Sequence, residues 1–256
     1  MTRLSLITTA YNSARTIADT LRSVNAQTLP DFEYLIVDGG SKDETMEIVA
    51  REGRRVTSAV SERDGGIYDA YNKGLARATG DVIGFLNSDD FYASDTVLAE
   101  VMAAFEDPEV DAVYGDLTYV DPVDTGVIER VWRSRPPTRA NIARGFHPAH
   151  PTLFLRRRVY DRAGVFNLDY RLAGDVEYMM RIFHTLDLKA VHLPGIMVRM
   201  RSGGATGGDF ASLMRQNREV RRAQHALGIR YPVVGFALHK VVDRVQQRLR
   251  GRAARG

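Results

Sequence analysis

Two adjacent carboxylates, Asp89 and Asp90, close the run Gly80-Asp81-Val82-Ile83-Gly84-Phe85-Leu86-Asn87-Ser88-Asp89-Asp90. Val82, Ile83, Phe85 and Leu86 have the character of a buried strand, and the acids stand where it ends. In an open α/β sheet, ligands sit beyond the carboxyl ends of the strands. Paired carboxylates there form a hard, oxygen-rich corner suited to Mg2+ or Mn2+, and such an ion suits a diphosphate. The competing reading is that the acids only end a strand and cap the next helix, the commoner fate of an Asp-Asp pair. A third acid, Asp175, stands in Arg171-Leu172-Ala173-Gly174-Asp175 directly before a helical pattern, where it reads by itself as an N-cap.

The elements that must position these acids alternate along the chain. Leu4 to Thr9 reads as a strand, and Ile17, Leu21 and Val24 fall on one helical face. Glu33 to Asp38 is a second buried-type strand. Ser41 and Glu44 have capping-box spacing for a helix running to about Arg51. A weaker strand at Val56 to Val60 and a helix around Tyr68 to Ala78 lead into the Asp89-Asp90 strand. Such alternation predicts a parallel sheet covered on both faces. Ser94 is the expected N-cap of a helix carrying Val97, Leu98, Val101, Met102 and Phe105. Ala112 to Tyr114 is a short strand, and from Leu117 to Trp132 shorter β-like runs predict that the sheet becomes mixed. Thr152 to Leu155, Ala190 to Leu193 and Ile196 to Met200 are strand-like. Helices are expected over Phe210 to Leu227 and Val233 to Arg250.

Composition bounds the function. The chain has no cysteine, so disulfides, thiolate metal sites and a cysteine nucleophile are excluded. No signal-peptide pattern is visible, and no apolar run approaches the ~20 residues that cross a bilayer. The net charge is +3, but Lys240 to Gly256 carries six basic residues against Asp243. That tail therefore holds five positive charges, which leaves residues 1–239 near −2. The basicity is an end tag on a near-neutral body, which argues against nucleic acid as a partner.

Several segments recur in a fixed order: Thr9-Ala10-Tyr11-Asn12, Val37-Asp38-Gly39-Gly40-Ser41, Asp64-Gly65-Gly66-Ile67-Tyr68, Phe85-Leu86-Asn87-Ser88-Asp89-Asp90 and Gly174-Asp175-Val176-Glu177. Together they resemble the family 2 glycosyltransferases of the GT-A fold, over residues 4–205, and within them the bacterial branch that builds exopolysaccharide, O-antigen or glycolipid sugars. The resemblance implies an α/β fold with a mostly parallel central sheet flanked by helices. It implies a GT-A domain over 1–208, with a nucleotide-binding half at about 1–115 and an acceptor-binding half at about 116–208. Residues 209–256 would be a C-terminal helical extension with a basic tail.

The resemblance also implies roles. Thr9, Ala10, Tyr11, Asp38, Asp64, Lys73, Asn87 and Asp89 would bind a nucleotide-sugar donor. Thr9 and Tyr11 would meet a uracil-like base, and Asp38 the base or ribose. Many relatives have two consecutive acids where this chain has Asp38-Gly39, so GDP and dTDP stay open beside UDP. Asp89 would touch ribose or metal-bound water and Asp90 would ligate Mn2+ or Mg2+. Lys73 is either a phosphate contact or a solvated helix lysine. Asp175 would be the catalytic base, taking a proton from an acceptor hydroxyl, with Glu177 as second choice. Among His147, His150 and His192, His150 is the leading acceptor-side candidate. Arg201 and the glycine loop after it would be a lid or a linker. The acceptor would be a saccharide or a lipid-linked saccharide. The expected setting is cytoplasmic, with 233–256 as a candidate contact to an anionic membrane face. A dehydrogenase or P-loop enzyme is disfavoured because neither glycine motif occurs. A non-catalytic module that kept a sugar-nucleotide fold is the remaining alternative.

Overall fold

The computed structural model describes residues 2–203 and 210–230, together with 247, 250 and 251. The expected second C-terminal helix, Val233 to Arg250, lies outside the described residues, apart from those isolated positions, as does the glycine loop beyond Gly203.

The N-terminal half is the expected alternation. It runs β1 (Leu4–Ala10), α1 (Ile17–Asn25), β2 (Glu33–Asp38), α2 (Thr45–Glu52), β3 (Ser58–Ser61), α3 (Ile67–Arg77) and β4 (Val82–Phe85). Strands β3, β2, β1 and β4 lie side by side and all parallel. Their side chains alternate between two cores. Leu4, Leu6, Tyr34 and Ile36 face α1, α2 and α4 (Val97–Ala104). Ile7, Leu35, Val37, Ile83 and Phe85 face α3 and α7 (Gly174–Thr185). A sheet covered on both faces needs this near-continuous apolar pattern.

Beyond β4 the sheet turns mixed. Antiparallel β8 (Phe154–Arg156) follows β4, then β6 (Ala112–Val120), then β9 (Ala190–Arg201), parallel to β6. The two-residue β5 (Phe91–Tyr92) pairs with β9, and β7 (Ile128–Trp132) forms a hairpin with β6. The sheet is parallel from β3 to β4, and most of its pairings beyond β4 are antiparallel. The two short strands expected over Ala190 to Met200 are one strand whose register shifts near Gly195, a glycine at φ 112°. Thr152 belongs to a single 3-10 turn (His150–Thr152) rather than to the strand expected there, because Pro151 sits inside that turn. Two short helices were not anticipated, α5 (Arg139–Ala143) and α6 (Arg157–Ala163). Helix α8 (Phe210–Ala226) buries Val220 and Ala223 in the same core as α7.

Two expected caps are different in detail. Helix α2 starts at Thr45 with no side-chain cap, because Ser41 Oγ instead donates to Asp38 Oδ1 at 2.5 Å. Helix α4 is preceded by Thr96 rather than Ser94.

Candidate active site

The ends of β1, β2 and β4 open into a cleft of about 1910 Å3, closed on the far side by β6, β7, the segment around α5, and α8. Of the residues expected to hold the donor, Thr9, Ala10, Tyr11, Asp64, Asn87 and Asp89 line it; Asp175, His150 and Arg201 do as well. Tyr11 is 62% exposed at its rim, a ring free to stack on a planar base. Asn12, at φ 50°, turns the chain there and is pinned by Ser41 and by Lys42 N.

The two acids after β4 differ from strand-ending residues. Asp90 is fully buried, and its Oδ1 has no hydrogen-bond partner. Its Oδ2 accepts a long contact, 3.4 Å, from Asn87 Nδ2, and the backbone N–H and charge of Arg201 also act on the carboxylate. Burial raises its pKa well above the usual carboxylate range, the adjacent Asp89 charge raises it further, and Asn87 and Arg201 oppose that rise. Burial also raises the pKa of Asp89, against the Arg201 charge. An uncompensated buried charge costs about 3–5 kcal/mol, more than the ~1 kcal/mol a helix cap returns. A capping role therefore does not account for Asp90. A divalent cation would fit: it would compensate both charges and needs only one or two carboxylates when other oxygens complete its shell. Among the described residues no three His, Cys, Asp or Glu side chains converge as a metal site.

The corner is held from several sides. Thr20 Oγ1 donates to Asp90 O at 2.7 Å, and Ser13 and Ser88 hydroxyls meet at 2.8 Å. Arg201, the last residue of β9, donates to Asp89 O at 2.7 Å and to Asp19. Its side chain is only 7% exposed, so it belongs to the fixed wall and not to a lid.

Asp175 is not an N-cap. Helix α7 begins at Gly174, its N-cap residue is Ala173, and no cap side chain is used. The segment that leads into the helix is held by Glu219 of α8, whose carboxylate accepts from Arg171 N, Leu172 N and Ala173 N at 2.8–3.1 Å. Asp175 Oδ1 instead accepts from the Tyr68 hydroxyl at 3.0 Å. One turn along α3, Tyr71 donates to Asn87 Oδ1 at 2.7 Å. The two tyrosines thus connect the two acid-bearing stretches, Tyr68 to Asp175 and Tyr71 through Asn87 to Asp90. Burial, followed by the Asp175 charge, raises the pKa of both hydroxyls, so both stay donors. Gly174 permits this approach, because a Cβ there would stand 2.8 Å from the Tyr68 ring.

Asp90 is fully buried and does not line the cleft, and three further expected site residues are placed otherwise. Asp38 is fully buried, and its carboxylate is taken by Gly40 N, Ser41 N, Ser41 Oγ and Ser61 Oγ at 2.5–3.1 Å. It staples the β2 and β3 ends and does not line the cleft. Asp64 stands in its place, lying directly over Gly39, where an added Cβ would be 2.5 Å from Asp64 Oδ2. Lys73 Nζ donates to Arg63 O at 2.8 Å and faces Asp69 and Glu62, away from the cleft wall. Glu177 is buried in an ion pair with Arg181 at 2.9 Å.

Of the histidines, His150 packs its ring among Tyr71, Phe85 and Phe166, and burial lowers its pKa against the opposing Asp175 charge. His147 lines the cleft near Trp132, while His192 bonds Asp116 at 3.1 Å and does not. Tyr68 and Tyr71 lie in or beside a segment that carries the family resemblance but were given no role from the sequence, and Glu219 carried no distinguishing signal. The tyrosines fall on the apolar face of α3, and Glu219 is an ordinary helix acid until α8 is docked on α7.

The glycosyl transferase family 2 model matches residues 5–164. The chain is 35% identical over 188 residues to a PGL/p-HBAD biosynthesis glycosyltransferase of Mycobacterium bovis, covering 70% of this chain and 69% of the relative. S. aureus TarS 1-349 in complex with UDP-GlcNAc superposes with a TM-score of 0.68 at 19% identity, over 88% of this chain and 65% of that one. This chain thus spans just under two thirds of the staphylococcal chain. The mannosyltransferase PcManGT from Pyrobaculum calidifontis, in complex with GDP-Man and Mn2+, gives a TM-score of 0.62 at 20% identity, over 94% of this chain and 79% of that one. At these identities the solved structures speak to the fold, which is that of the GT-A glycosyltransferases.

Proposed function

The chain belongs to glycosyl transferase family 2 and is a glycosyltransferase; from that premise we propose that it moves a sugar, with inversion, from a nucleotide-diphospho-sugar to a hydroxyl of a saccharide or lipid-linked acceptor. UDP-sugars are the preferred donor class. The observation that carries this reading is the partnerless buried oxygen of Asp90, which does not itself line the cleft but adjoins Asp89, which lines it together with Asp175. A divalent cation held by Asp90 and Asp89, Mn2+ or Mg2+, would supply charge neutralisation of the diphosphate leaving group. The chain's own residues do the rest. Tyr11 and Asp64 receive the nucleotide at the β1 and β2 ends. Tyr68 holds one oxygen of Asp175, and the other takes the proton of the acceptor hydroxyl as it attacks the anomeric carbon. His150, buried and neutral, fixes the aromatic floor between Tyr71 and Phe166.

A screen of radiolabelled UDP-, GDP- and dTDP-sugars with Mn2+ tests the reading. Turnover is expected with at least one donor, strongest in the UDP class, and is expected to vanish with EDTA. Full turnover in EDTA contradicts the metal role. Peripheral membrane attachment through 233–256 belongs to the same proposal, and liposome flotation of full-length and 1–232 chains tests it. Among the described residues no helix is long and apolar enough to cross a membrane.

A further inference from the structure

Four rings gather at one edge of the cleft. Tyr71, Phe85 and Phe166 lie 4.5–5.7 Å from one another, and His150 stands 5.3–5.8 Å from each of them. Three rings so close together must all stand on one side of the imidazole. Its other side belongs to the cleft, which His150 lines although it is only 8% exposed.

Among the described residues no group hydrogen-bonds the His150 ring, and neither ring nitrogen is among the polar atoms sealed from solvent without a partner. A ring nitrogen therefore opens on the cleft. Packing alone does not call for such a residue. A fourth hydrocarbon ring would complete the cluster with no polar atom to desolvate, whereas a buried polar group ordinarily has a partner. Burial lowers the pKa of the imidazole, against the opposing Asp175 charge, so the ring is uncharged at neutral pH. An uncharged imidazole offers one N–H donor and one acceptor, which suits a hydroxyl group better than an ion.

The neighbours of His150 narrow the choice of hydroxyl. Tyr71, in the same ring cluster, donates to Asn87, two residues before Asp89. The Asp175 charge acts on the imidazole as well. His150 thus stands between the stretch proposed to carry the diphosphate and the proposed base. In a direct displacement the sugar occupies that interval, because its anomeric carbon must lie between the leaving phosphate oxygen and the attacking hydroxyl. We propose that His150 holds a hydroxyl of the sugar being transferred, through a ring nitrogen that faces the cleft, and so helps to select the donor sugar. The inference rests on the glycosyl-transfer reading and adds a specificity-determining contact to it.

Calorimetric titration with UDP, UDP-glucose, UDP-galactose and UDP-N-acetylglucosamine, with Mn2+ present, tests the contact without an acceptor. The quantity read is the affinity for a UDP-sugar relative to that for UDP, taken for the sugar that wild type binds best. His150→Phe keeps an aromatic ring and removes both nitrogens; His150→Leu removes them with a different apolar shape. In each variant UDP affinity should match wild type, which also certifies the fold, while the sugar-to-UDP ratio falls about tenfold, the equivalent of one unmade hydrogen bond. His150→Gln, whose amide restores a donor and an acceptor, should recover part of the ratio. A wild-type ratio in the Phe or Leu variant with UDP affinity intact overturns the proposal. So does an equal fall for UDP and for UDP-sugar, which would make His150 a structural residue. Failure of wild-type protein to bind UDP, GDP or dTDP would strike the glycosyl-transfer reading and this contact with it, and it would be evident before any variant is compared.

Discussion

The two sides of the cleft are built on opposite plans. The donor side consists of strand ends whose polar groups are tied to one another, as with Asp38 and its four hydrogen bonds, Thr20 on Asp90, and Arg201 on Asp89. The Asp90 carboxylate there keeps one buried oxygen, Oδ1, with no hydrogen-bond partner. The acceptor side consists of an antiparallel hairpin, short helices and α8, with arginines laid on rings. In the proposed reading the strand-end side would cradle the donor, with a cation on Asp89 and Asp90, and the far side would receive the acceptor. Helix α3 joins them, with Tyr68 reaching across to Asp175 and Tyr71 to Asn87.

The contrast can be broken at its seam. Asp175→Asn keeps the shape and the Tyr68 contact but cannot take a proton. Transfer should fall about 10²–10⁴-fold, the range for a lost general base, while UDP binding by calorimetry stays at the wild-type value. Undiminished transfer removes Asp175 from the chemistry. Gly174→Ala places a methyl group 2.8 Å from the Tyr68 ring. Displacing the ring and Asp175 by about 1 Å should cost roughly 10²-fold in kcat with little change in donor KM, and Tyr68→Phe should show part of the same loss.

Glu219→Ala sharpens the comparison from the acceptor side. It strips three backbone N–H groups of their acceptor, about 1–3 kcal/mol of stability, and loosens the segment before Asp175. The expected readout is a lower Tm and a kcat reduced by about tenfold, with donor affinity unchanged; Glu219→Gln should recover part of both. Falling donor affinity would mean that α8 serves the nucleotide instead. The smallest effect is a pH dependence. Burial depresses the folded pKa of His150 below its unfolded value, 6.5. The unfolded chain therefore binds the extra proton first, and stability falls as pH drops through about 6.5 towards the folded pKa. His150→Phe should flatten the Tm profile between pH 7.5 and 5.5, and an unchanged slope would show that other groups set it.

The parallel strands and turns of the N-terminal half were legible in the sequence because their signals are local. Apolar strand residues stop at Asp89 and Asp90, and glycines mark the turns at Gly39-Gly40 and Gly65-Gly66. The sequence misplaced Asp38, Lys73 and Glu177 because a carboxylate or ammonium looks the same whether it meets ligand or protein. Their partners, Ser61, Arg63 and Arg181, become visible only once the chain is folded. Tyr68 and Tyr71 sit at helical spacing on an apolar face, where aromatic residues ordinarily pack, so periodicity alone cannot lift them out. The acceptor wall was nearly illegible. The arginines of 130–144 meet Arg221 only through the hairpin and the docking of α8.

The central claim is that Asp90 is buried in want of a cation that arrives with the donor. Calorimetric titration of UDP into wild-type and Asp90→Asn protein, each with Mn2+ and with EDTA, tests it most directly. The account predicts tight binding only in the wild type with Mn2+, at least about tenfold weaker binding in EDTA, and no Mn2+ effect in the variant. Equal UDP affinity in all four titrations would contradict it.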